Sequence, residues 1–281
     1  MSARAIVVER AGLQSLIVDR GRFGLRHFGV GWCGAMDLRA LADANALAGN
    51  PPNAAAIEIV LGDFALSFEA AARFALAGAD CDAQLDGEGI ATYHLHTAQA
   101  GSRLVLHRPR AWMRTVLALD GGIRVAPVLG SRTTDLLAHM GGIGGRALRA
   151  GDRLILGEPA IAPTGVVRKQ PPCDFVFRVL RQALAERLWD REWTVGHESN
   201  RMGYRLRGDA QPHDLGSTRS RAVFPGFIQL PPSGEPIVLM SDAQTTGGYP
   251  LAGVVIEEDL WKLAQAPIGA RIRFISTSMP T

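Results

Sequence analysis

Residues 225–250 read PGFIQLPPSGEPIVLMSDAQTTGGYP, two short apolar runs set between Pro- and Gly-rich turns. Apolar runs of this length, bounded by turn residues, predict β-strands. The second run, at residues 237–240, leads into ten residues that carry more polar groups than a turn requires. This stretch therefore predicts strands that end in a polar loop.

Similar apolar runs recur along the chain, at residues 5–8, 16–18, 64–66, 104–106 and 154–156. The chain also has 32 glycines and 16 prolines, which punctuate these runs. Strands at this spacing, with few helical patterns between them, predict a mainly β fold of barrels or sandwiches.

Three segments predict short helices. Residues 37–48 place leucines on one side, with Asp37 as the N-cap and Gly49 as the C-terminal stop. Residues 179–188 carry leucines four positions apart, which is the spacing of a helical face. Residues 257–264 begin with acidic residues, which suit the positive end of a helix dipole.

A proline-rich stretch predicts a division of the chain into two parts. We expect a first β-barrel unit at residues 1–158, a linker at residues 159–173 and a second β-barrel unit at residues 174–281. A short repeat supports two related units, because RFGLR at residues 22–26 resembles RMGYR at residues 201–205.

Composition narrows the class of protein. The 30 basic and 27 acidic residues are interspersed and give a net charge of +3, so the clustered basic face typical of nucleic-acid binding is absent from the sequence. No run approaches the roughly 18 apolar residues of a transmembrane span. The N-terminal residues lack the apolar core of a signal peptide, and the three cysteines form no CxxC pair, so we expect a cytoplasmic location.

The loop SDAQTTGGYP at residues 241–250 is the strongest candidate for a ligand site. Tandem glycines let a backbone approach a ligand closely, and the hydroxyl, amide and carboxylate groups add donors and acceptors. The candidate residues of this loop are Asp242, Gln244, Thr245, Thr246, Gly247, Gly248 and Tyr249. From composition alone, a β-turn capped by its own side chains explains the loop equally well.

A second candidate segment is HESNRMGYRLRG, residues 197–208, which presents Arg201, Tyr204 and Arg205 around a glycine. If the segment is extended, the two arginines share one face and suit a carboxylate or a phosphate. A solvated strand face is the alternative.

Two polar residues stand alone in apolar stretches. Gln229 lies between Pro-Gly and Pro-Pro, where it must find a partner or line a site. Glu58 lies in AAAIEIV, and pairing with an arginine is the favoured interpretation.

In the N-terminal part, the Gly-rich segment at residues 29–37 ends at Asp37, which is predicted to cap the helix or to contact a ligand, and Asn45 follows on that helix. Residues 130–135, GSRTTD, form a further polar loop. His94 and His96 would share a strand face, as some metal ligands do, but no third ligand is spaced nearby, so no metal site is predicted.

The ordered set of these elements resembles the biotin-dependent carboxyltransferase family, also called allophanate hydrolase subunit 2. The elements that carry the resemblance are GRFGLRHFGVGWCGAMD, ANALAGNPPNAAAIEIVLGDFALSF, ALDGGI, VLGSRTTD, SNRMGYRLRG and PGFIQLPPSGEPIVLMSDAQTTGGYP. Together they cover nearly the whole chain, and the resemblance implies two cyclophilin-like β-barrel units.

The resemblance also implies a function. The chain is expected to be a subunit of an ATP-dependent 5-oxoprolinase, which opens 5-oxoproline to glutamate. It is expected to act with a sister subunit of the allophanate hydrolase subunit 1 type and with a third 5-oxoprolinase subunit. The ATP is implied by the resemblance alone. The sequence itself has no lysine in a Met-Lys-Met context, so no biotin attachment site is expected.

The expected roles follow from the side-chain chemistry. Asp242 is the predicted acid or base, Arg201 and Arg205 hold a carboxylate or phosphate, and residues 244–249 stabilise a developing oxyanion. Two alternatives remain open: a carboxyltransferase component that works with separate biotin proteins on a urea- or amide-like substrate, and a non-catalytic antagonist that binds a kinase-inhibitor partner.

Overall fold

The computed structural model describes residues 4–159, 174–182, 184–189, 191–214 and 219–278. The chain divides into two compact units, one of Met1–Arg22 and Asp37–Pro171, the other of Phe23–Met36 and Pro172–Thr281. The predicted linker lies outside the described residues except for Pro159.

The predicted boundaries require one correction. The sequence predicts residues 1–158 as the first unit alone, but Phe23–Met36 belongs to the second. The physical reason is that Met36 is buried in the second unit's core and that the backbone N–H of Cys33 donates to the carbonyl of Ser241. Because this segment packs against residues about 200 positions away, its own residues do not indicate that it belongs to the second unit.

In the described part of the first unit, the strands form two antiparallel sheets. The six-stranded sheet has the order β11-β1-β4-β9-β6-β7, and the five-stranded sheet has the order β2-β3-β10-β5-β8. The strands are β1 (Ala5–Ala11), β2 (Gln14–Val18), β3 (Ala56–Val60), β4 (Phe64–Phe68), β5 (Ala72–Gly78), β6 (Gln84–Leu85), β7 (Glu88–Gly89), β8 (Leu95–Ala98), β9 (Arg103–Leu106), β10 (Arg114–Leu119) and β11 (Arg153–Ile155).

The core of this unit is made of aliphatic and aromatic side chains from both sheets, among them Ile6, Phe64, Phe74 and Leu117. Glu58 on β3 is buried, and its carboxylate lies 3.9 Å from the Nε of Arg114 on β10. The predicted pairing of Glu58 with an arginine is therefore confirmed.

Helix α1 (Leu38–Ala48) packs on β5 and β10 of the first unit. The Asp37 side chain accepts from the backbone N–H of Ala40, and Gly49 ends the helix in the left-handed conformation, with φ of 75°. Both predicted ends are confirmed. An acceptor at the N-cap bonds a backbone N–H that the helix leaves unpaired, and glycine adopts the left-handed conformation that ends the helix without a Cβ clash.

The second unit is built on a closed barrel of seven strands in the order β12-β19-β16-β17-β14-β13-β20, and a separate ribbon pairs β15 with β18. The β12–β20 pair is parallel and closes the ring, whereas the other barrel pairs are antiparallel. The strands are β12 (Val176–Arg181), β13 (Trp193–Val195), β14 (Gly203–Arg207), β15 (Arg221–Ala222), β16 (Phe227–Gln229), β17 (Ile237–Leu239), β18 (Thr246–Gly247), β19 (Leu251–Val255) and β20 (Arg271–Thr277).

The predicted helix at residues 179–188 is wrong over its first part. Val176–Arg181 is strand β12, in which Phe177 and Val179 are buried and alternate with exposed or half-exposed neighbours. Beyond it, the described residues of the predicted helix form a short 3-10 turn at Ala185–Arg187. The predicted third helix is confirmed as α2 (Glu257–Gln265).

The mainly-β class with few short helices is confirmed. No helix in the described ranges is long and apolar enough to cross a membrane.

Candidate functional site

The loop at residues 241–250 connects β17 to β19 in the second unit. Its middle is not a free loop, because Thr246 and Gly247 form β18 and pair with Ala222 and Arg221 of β15. The N–H of Val223 also donates to the carbonyl of Thr245. The loop is therefore an ordered ribbon that carries its polar side chains on a fixed backbone.

Arg201 and Asp242 form a bidentate ion pair at the start of this loop. The Nε and Nη2 of Arg201 each donate to one carboxylate oxygen of Asp242, both at 2.9 Å. Arg201 is 6% exposed, and the Asp242 N–H donates to the Arg201 carbonyl. Arg201 and Asp242, two of the predicted site residues, thus fix each other and tie residue 201 to the loop.

A segment from the N-terminal part of the sequence runs along the same loop. The Nη2 of Arg201 donates to the Gly34 carbonyl at 2.7 Å, and the Ser241 hydroxyl donates to the Ala35 carbonyl at 3.0 Å. Cys33 is buried here with a φ of 52°, a conformation that few non-glycine residues adopt. Hydrogen bonds from Arg201 and Ser241 thus hold this segment against the start of the loop.

Arg26 is a site residue that the sequence did not reveal. Its Nη2 donates to the carbonyls of Val223 and Gln244, the latter at 2.9 Å. Its guanidinium lies over the rings of Trp32, at 5.4 Å, and Phe224, at 4.8 Å from the centroid. Arg26 is half-buried, and within the described part of the chain its Nε and Nη1 have no hydrogen-bond partner.

Burial lowers the pKa of Arg26, with Cys33 opposing that shift. Arginine stays protonated at physiological pH even so, because its ordinary pKa lies far above that pH. A cation held over two aromatic rings, with N–H groups to spare, is suited to bind a carboxylate or another anion.

Gln229 on β16 is the second polar group that faces this ribbon. It is 2% exposed, and its Nε2 has no hydrogen-bond partner among the described residues. A Cβ placed on Gly247 would come within 2.4 Å of that nitrogen. Glycine at position 247 therefore gives the Gln229 amide the space that it occupies.

The remaining loop residues differ in exposure. Thr246 and Tyr249 are exposed, Tyr249 by 45%, whereas Gln244, Thr245 and Gly248 are half-buried. Polar and aromatic groups thus border the ribbon on its solvent side.

The predicted shared face of Arg201 and Arg205 is wrong. Arg201 lies at a bend before β14 and is buried, whereas Arg205 lies within β14 and is exposed. The two-residue period begins only at Gly203, so it does not relate these two side chains. Tyr204 is buried in the core of the barrel.

Asp37 and Asn45 belong to the first unit, where both have structural contacts. Asp37 caps α1. The Asn45 side chain is fully buried, donates to the carbonyl of Ala54 at 3.0 Å and accepts from the Asn50 amide at 3.0 Å. These contacts join the end of α1 to the turn that follows it.

The second unit thus carries a cation, a fixed carboxylate and an amide whose Nε2 has no hydrogen-bond partner among the described residues. Arg26 supplies the charge, Gln229 supplies neutral donors beside Gly247, and Asp242 is held by Arg201. Such a set suits an anionic substrate that also carries an amide oxygen.

The chain is similar to known proteins over most of its length. The family model described as carboxyltransferase domain, subdomain A and B, matches residues 28–276. The chain is 42% identical over 282 residues to a 5-oxoprolinase subunit of Escherichia coli, in a match that covers 96% of this chain and 90% of that protein. It is 40% identical over 280 residues to the corresponding 5-oxoprolinase subunit of Haemophilus influenzae, with 95% and 89% covered.

Among solved structures, the urea amidolyase of K. lactis matches with a TM-score of 0.92 at 26% identity, covering 99% of this chain and 19% of that chain. This chain therefore spans about a fifth of that protein but nearly the full length of the two bacterial subunits. The family resemblance of the sequence is confirmed: the chain belongs to the carboxyltransferase domain, subdomain A and B, family.

Proposed function

We propose that this chain is a subunit of an ATP-dependent 5-oxoprolinase, which hydrolyses the cyclic amide 5-oxoproline to glutamate. The observation that carries the proposal is the 42% identity to the 5-oxoprolinase subunit of Escherichia coli over 96% of this chain. The site in the second unit adds chemical support, since 5-oxoproline carries one carboxylate and one amide oxygen.

Arg26 is the proposed partner of the substrate carboxylate. Its Nη2 is already fixed by two carbonyls, so its Nε and Nη1 are the groups that can donate to a ligand. The rings of Trp32 and Phe224 hold the plane of the guanidinium, which reduces the entropy lost on binding.

Gln229 and the ribbon at residues 244–249 are proposed to bind the amide end of the substrate. Phosphorylation of the amide oxygen adds negative charge at that end of the substrate, and N–H groups directed at it orient the group and stabilise the charge. The Gln229 amide, buried beside Gly247, is placed for such a role.

Asp242 has a proposed role that follows from its pairing. Both of its oxygens accept from Arg201, so the carboxylate is engaged in fixing Arg201 to the loop. We therefore assign the Arg201–Asp242 pair to holding the loop in place and assign substrate recognition to Arg26.

ATP is proposed as the second substrate. An unstrained amide resists hydrolysis, and transfer of the terminal phosphoryl group of ATP to its oxygen, with release of ADP, makes the ring carbon more electrophilic. Water then adds to that carbon and the ring C–N bond breaks, which leaves an acyl phosphate. A second water hydrolyses the acyl phosphate to glutamate and phosphate. The proposed complex contains a sister subunit of the allophanate hydrolase subunit 1 type and a third subunit, because the matching bacterial proteins are themselves named as subunits.

The test is reconstitution. The chain is co-expressed and purified with its sister subunits, and glutamate release from 5-oxoproline is measured with and without ATP. We expect release that needs both ATP and this chain. If the assembled, folded complex releases no glutamate, the proposed function is wrong.

A further inference from the structure

A cavity of about 470 Å³ lies within the first unit, and none of the residues assigned to substrate recognition in the second unit lines it. Its walls come from the turn after α1, from the turn after β10 and from the polar loop at residues 130–135. A volume in this range suits a small molecule.

Arg124 and Arg132 both line this cavity, and no aspartate or glutamate is among the described residues that line it. Within the described ranges, neither guanidinium has a hydrogen-bond or ion-pair partner. The cavity therefore carries two positive charges that the described residues leave uncompensated.

The neighbouring acids are already engaged. Asp120 is buried and pairs with Arg4 and Arg73. The carboxylate of Asp19, 5% exposed, accepts from the Ser131 hydroxyl at 2.5 Å and from the backbone N–H of Arg132 at 2.6 Å. Neither acid pairs with the guanidinium groups of the cavity.

The backbone around the two arginines is well anchored. The Asp19 hydrogen bond fixes residue 132, and the N–H of Arg124 donates to the Ile155 carbonyl at 2.8 Å. Gly121 has a φ of 83°, and a Cβ there would lie 2.2 Å from the Gly157 carbonyl. The turn is thus closely packed, and only the arginine side chains remain to be ordered by a ligand.

We propose that this cavity binds the phosphate group of a small molecule. Two guanidinium groups without an acid match the charge of a phosphate, which carries close to two negative charges at neutral pH. A single carboxylate would leave one of the two cations uncompensated. The phosphate can be free inorganic phosphate or part of a phosphate ester.

The test is calorimetric titration of the full chain at constant ionic strength, with inorganic phosphate, ATP and glutamate as separate ligands. We expect saturable one-site binding of phosphate that weakens roughly tenfold or more in Arg124→Gln and in Arg132→Gln. Tighter binding of ATP, lost in the same variants, assigns the site to a phosphate ester, whereas weaker binding of ATP assigns it to the free anion.

The matched control is Arg110→Gln, an exposed arginine of the same unit that does not line the cavity. It should bind phosphate as the wild type does. Arg132→Lys keeps the charge but loses the planar fork, so it provides a second variant with little risk to folding.

The proposal is overturned if no phosphate compound binds saturably, if the double Arg→Gln variant binds unchanged, or if glutamate binds as tightly as phosphate. The titration needs no partner and no catalysis, so its outcome is independent of the proposed function.

Discussion

The side chains of Arg201 and Asp242 meet through two hydrogen bonds of 2.9 Å, largely out of contact with solvent. Such a pair is costly to break, because each partner then keeps a buried charge without its counter-ion. We expect Arg201→Met and Asp242→Asn each to lower the free energy of unfolding by about 3 kcal/mol.

The double variant shows whether the two side chains stabilise the fold as a pair or independently of each other. Because the second substitution has no intact pair left to break, the double variant should lose at least about 1.5 kcal/mol less than the sum of the two singles. Urea unfolding monitored by tryptophan fluorescence measures all four proteins. Strict additivity would show that the two side chains do not interact in solution.

The contact between Gly247 and Gln229 gives a second prediction at this scale. A Cβ at position 247 would crowd the Gln229 amide, so Gly247→Ala should destabilise the protein by about 1–3 kcal/mol. In a Gln229→Ala background the same substitution should cost at least about 1 kcal/mol less, since the crowded atoms are gone. Equal costs in both backgrounds, measured by urea unfolding, would contradict this contact.

Arg26 shows what the sequence does not disclose about single residues. Its partners Val223, Phe224 and Gln244 lie about 200 positions away, so no local spacing predicts them. The one available signal is the repeat RFGLR and RMGYR, which aligns Arg26 with Arg205. The polar loop at residues 241–250, by contrast, was predictable because its excess of polar groups follows directly on a strand.

Among the elements, α1 and β12 show when local patterns suffice. Helix α1 has a cap, a stop and an apolar side, and its predicted ends match the structure. Leucines four positions apart at residues 180–188 predict a helix that overlaps β12. In the structure Phe177 and Val179 alternate with more exposed neighbours and are buried, which is the pattern of a strand. Closure of a barrel by the β12–β20 pair is a long-range event that a ten-residue window does not contain.

The link between α2 and β12 rests on Asp259 in the first turn of α2. Its carboxylate accepts from the backbone N–H of Arg178 at 2.8 Å and from the Nε and Nη2 of the same residue. Burial raises the pKa of Asp259, but the hydrogen bonds from Arg178 and the charge of Lys262 outweigh it, so the pKa lies below its ordinary value.

A carboxyl group whose pKa is lower in the folded state than in the unfolded state stabilises the fold when it is ionised. This stabilisation is complete above the pKa of the unfolded state, about 3.9, and it is lost as the pH falls through the folded-state pKa. We therefore expect Asp259→Asn to lose about 2 kcal/mol at pH 7 and to lose less than the wild type when the pH is lowered to about 3. Urea unfolding at both pH values tests this. Glu258→Gln, an exposed neighbour in the same turn, should change stability little; an equal loss there would contradict the role of Asp259.

For the whole molecule, the ordered set of motifs predicted the family, and the family resemblance implied the mainly-β fold. It did not predict that Phe23–Met36 would join the second unit, because that assignment depends on packing between distant parts of the chain. This segment supplies Arg26 and Trp32, so the site is incomplete without it.

Assembly with a sister subunit gives a prediction at this scale. Phe28 is 73% exposed in the segment at residues 23–36, and exposed aromatic side chains are frequent contacts in protein interfaces. We expect Phe28→Ser to weaken binding of the proposed subunit 1-type partner at least about tenfold in calorimetry, because its apolar area is no longer buried. Leu137→Ser, at 76% exposure in the first unit, is the matched control. Equal affinities for Phe28→Ser and the wild type would place the interface elsewhere.

The central claim is that the second unit recognises an anionic cyclic amide through Arg26. The most direct measurement is the KM for 5-oxoproline in the reconstituted complex, compared between the wild type, Arg26→Lys and the exposed control Arg205→Lys. Since lysine replaces the stacked planar fork with a point charge, we predict a KM at least about tenfold higher for Arg26→Lys and an unchanged KM for Arg205→Lys. An unchanged KM for a folded, assembled Arg26→Lys complex would contradict the claim.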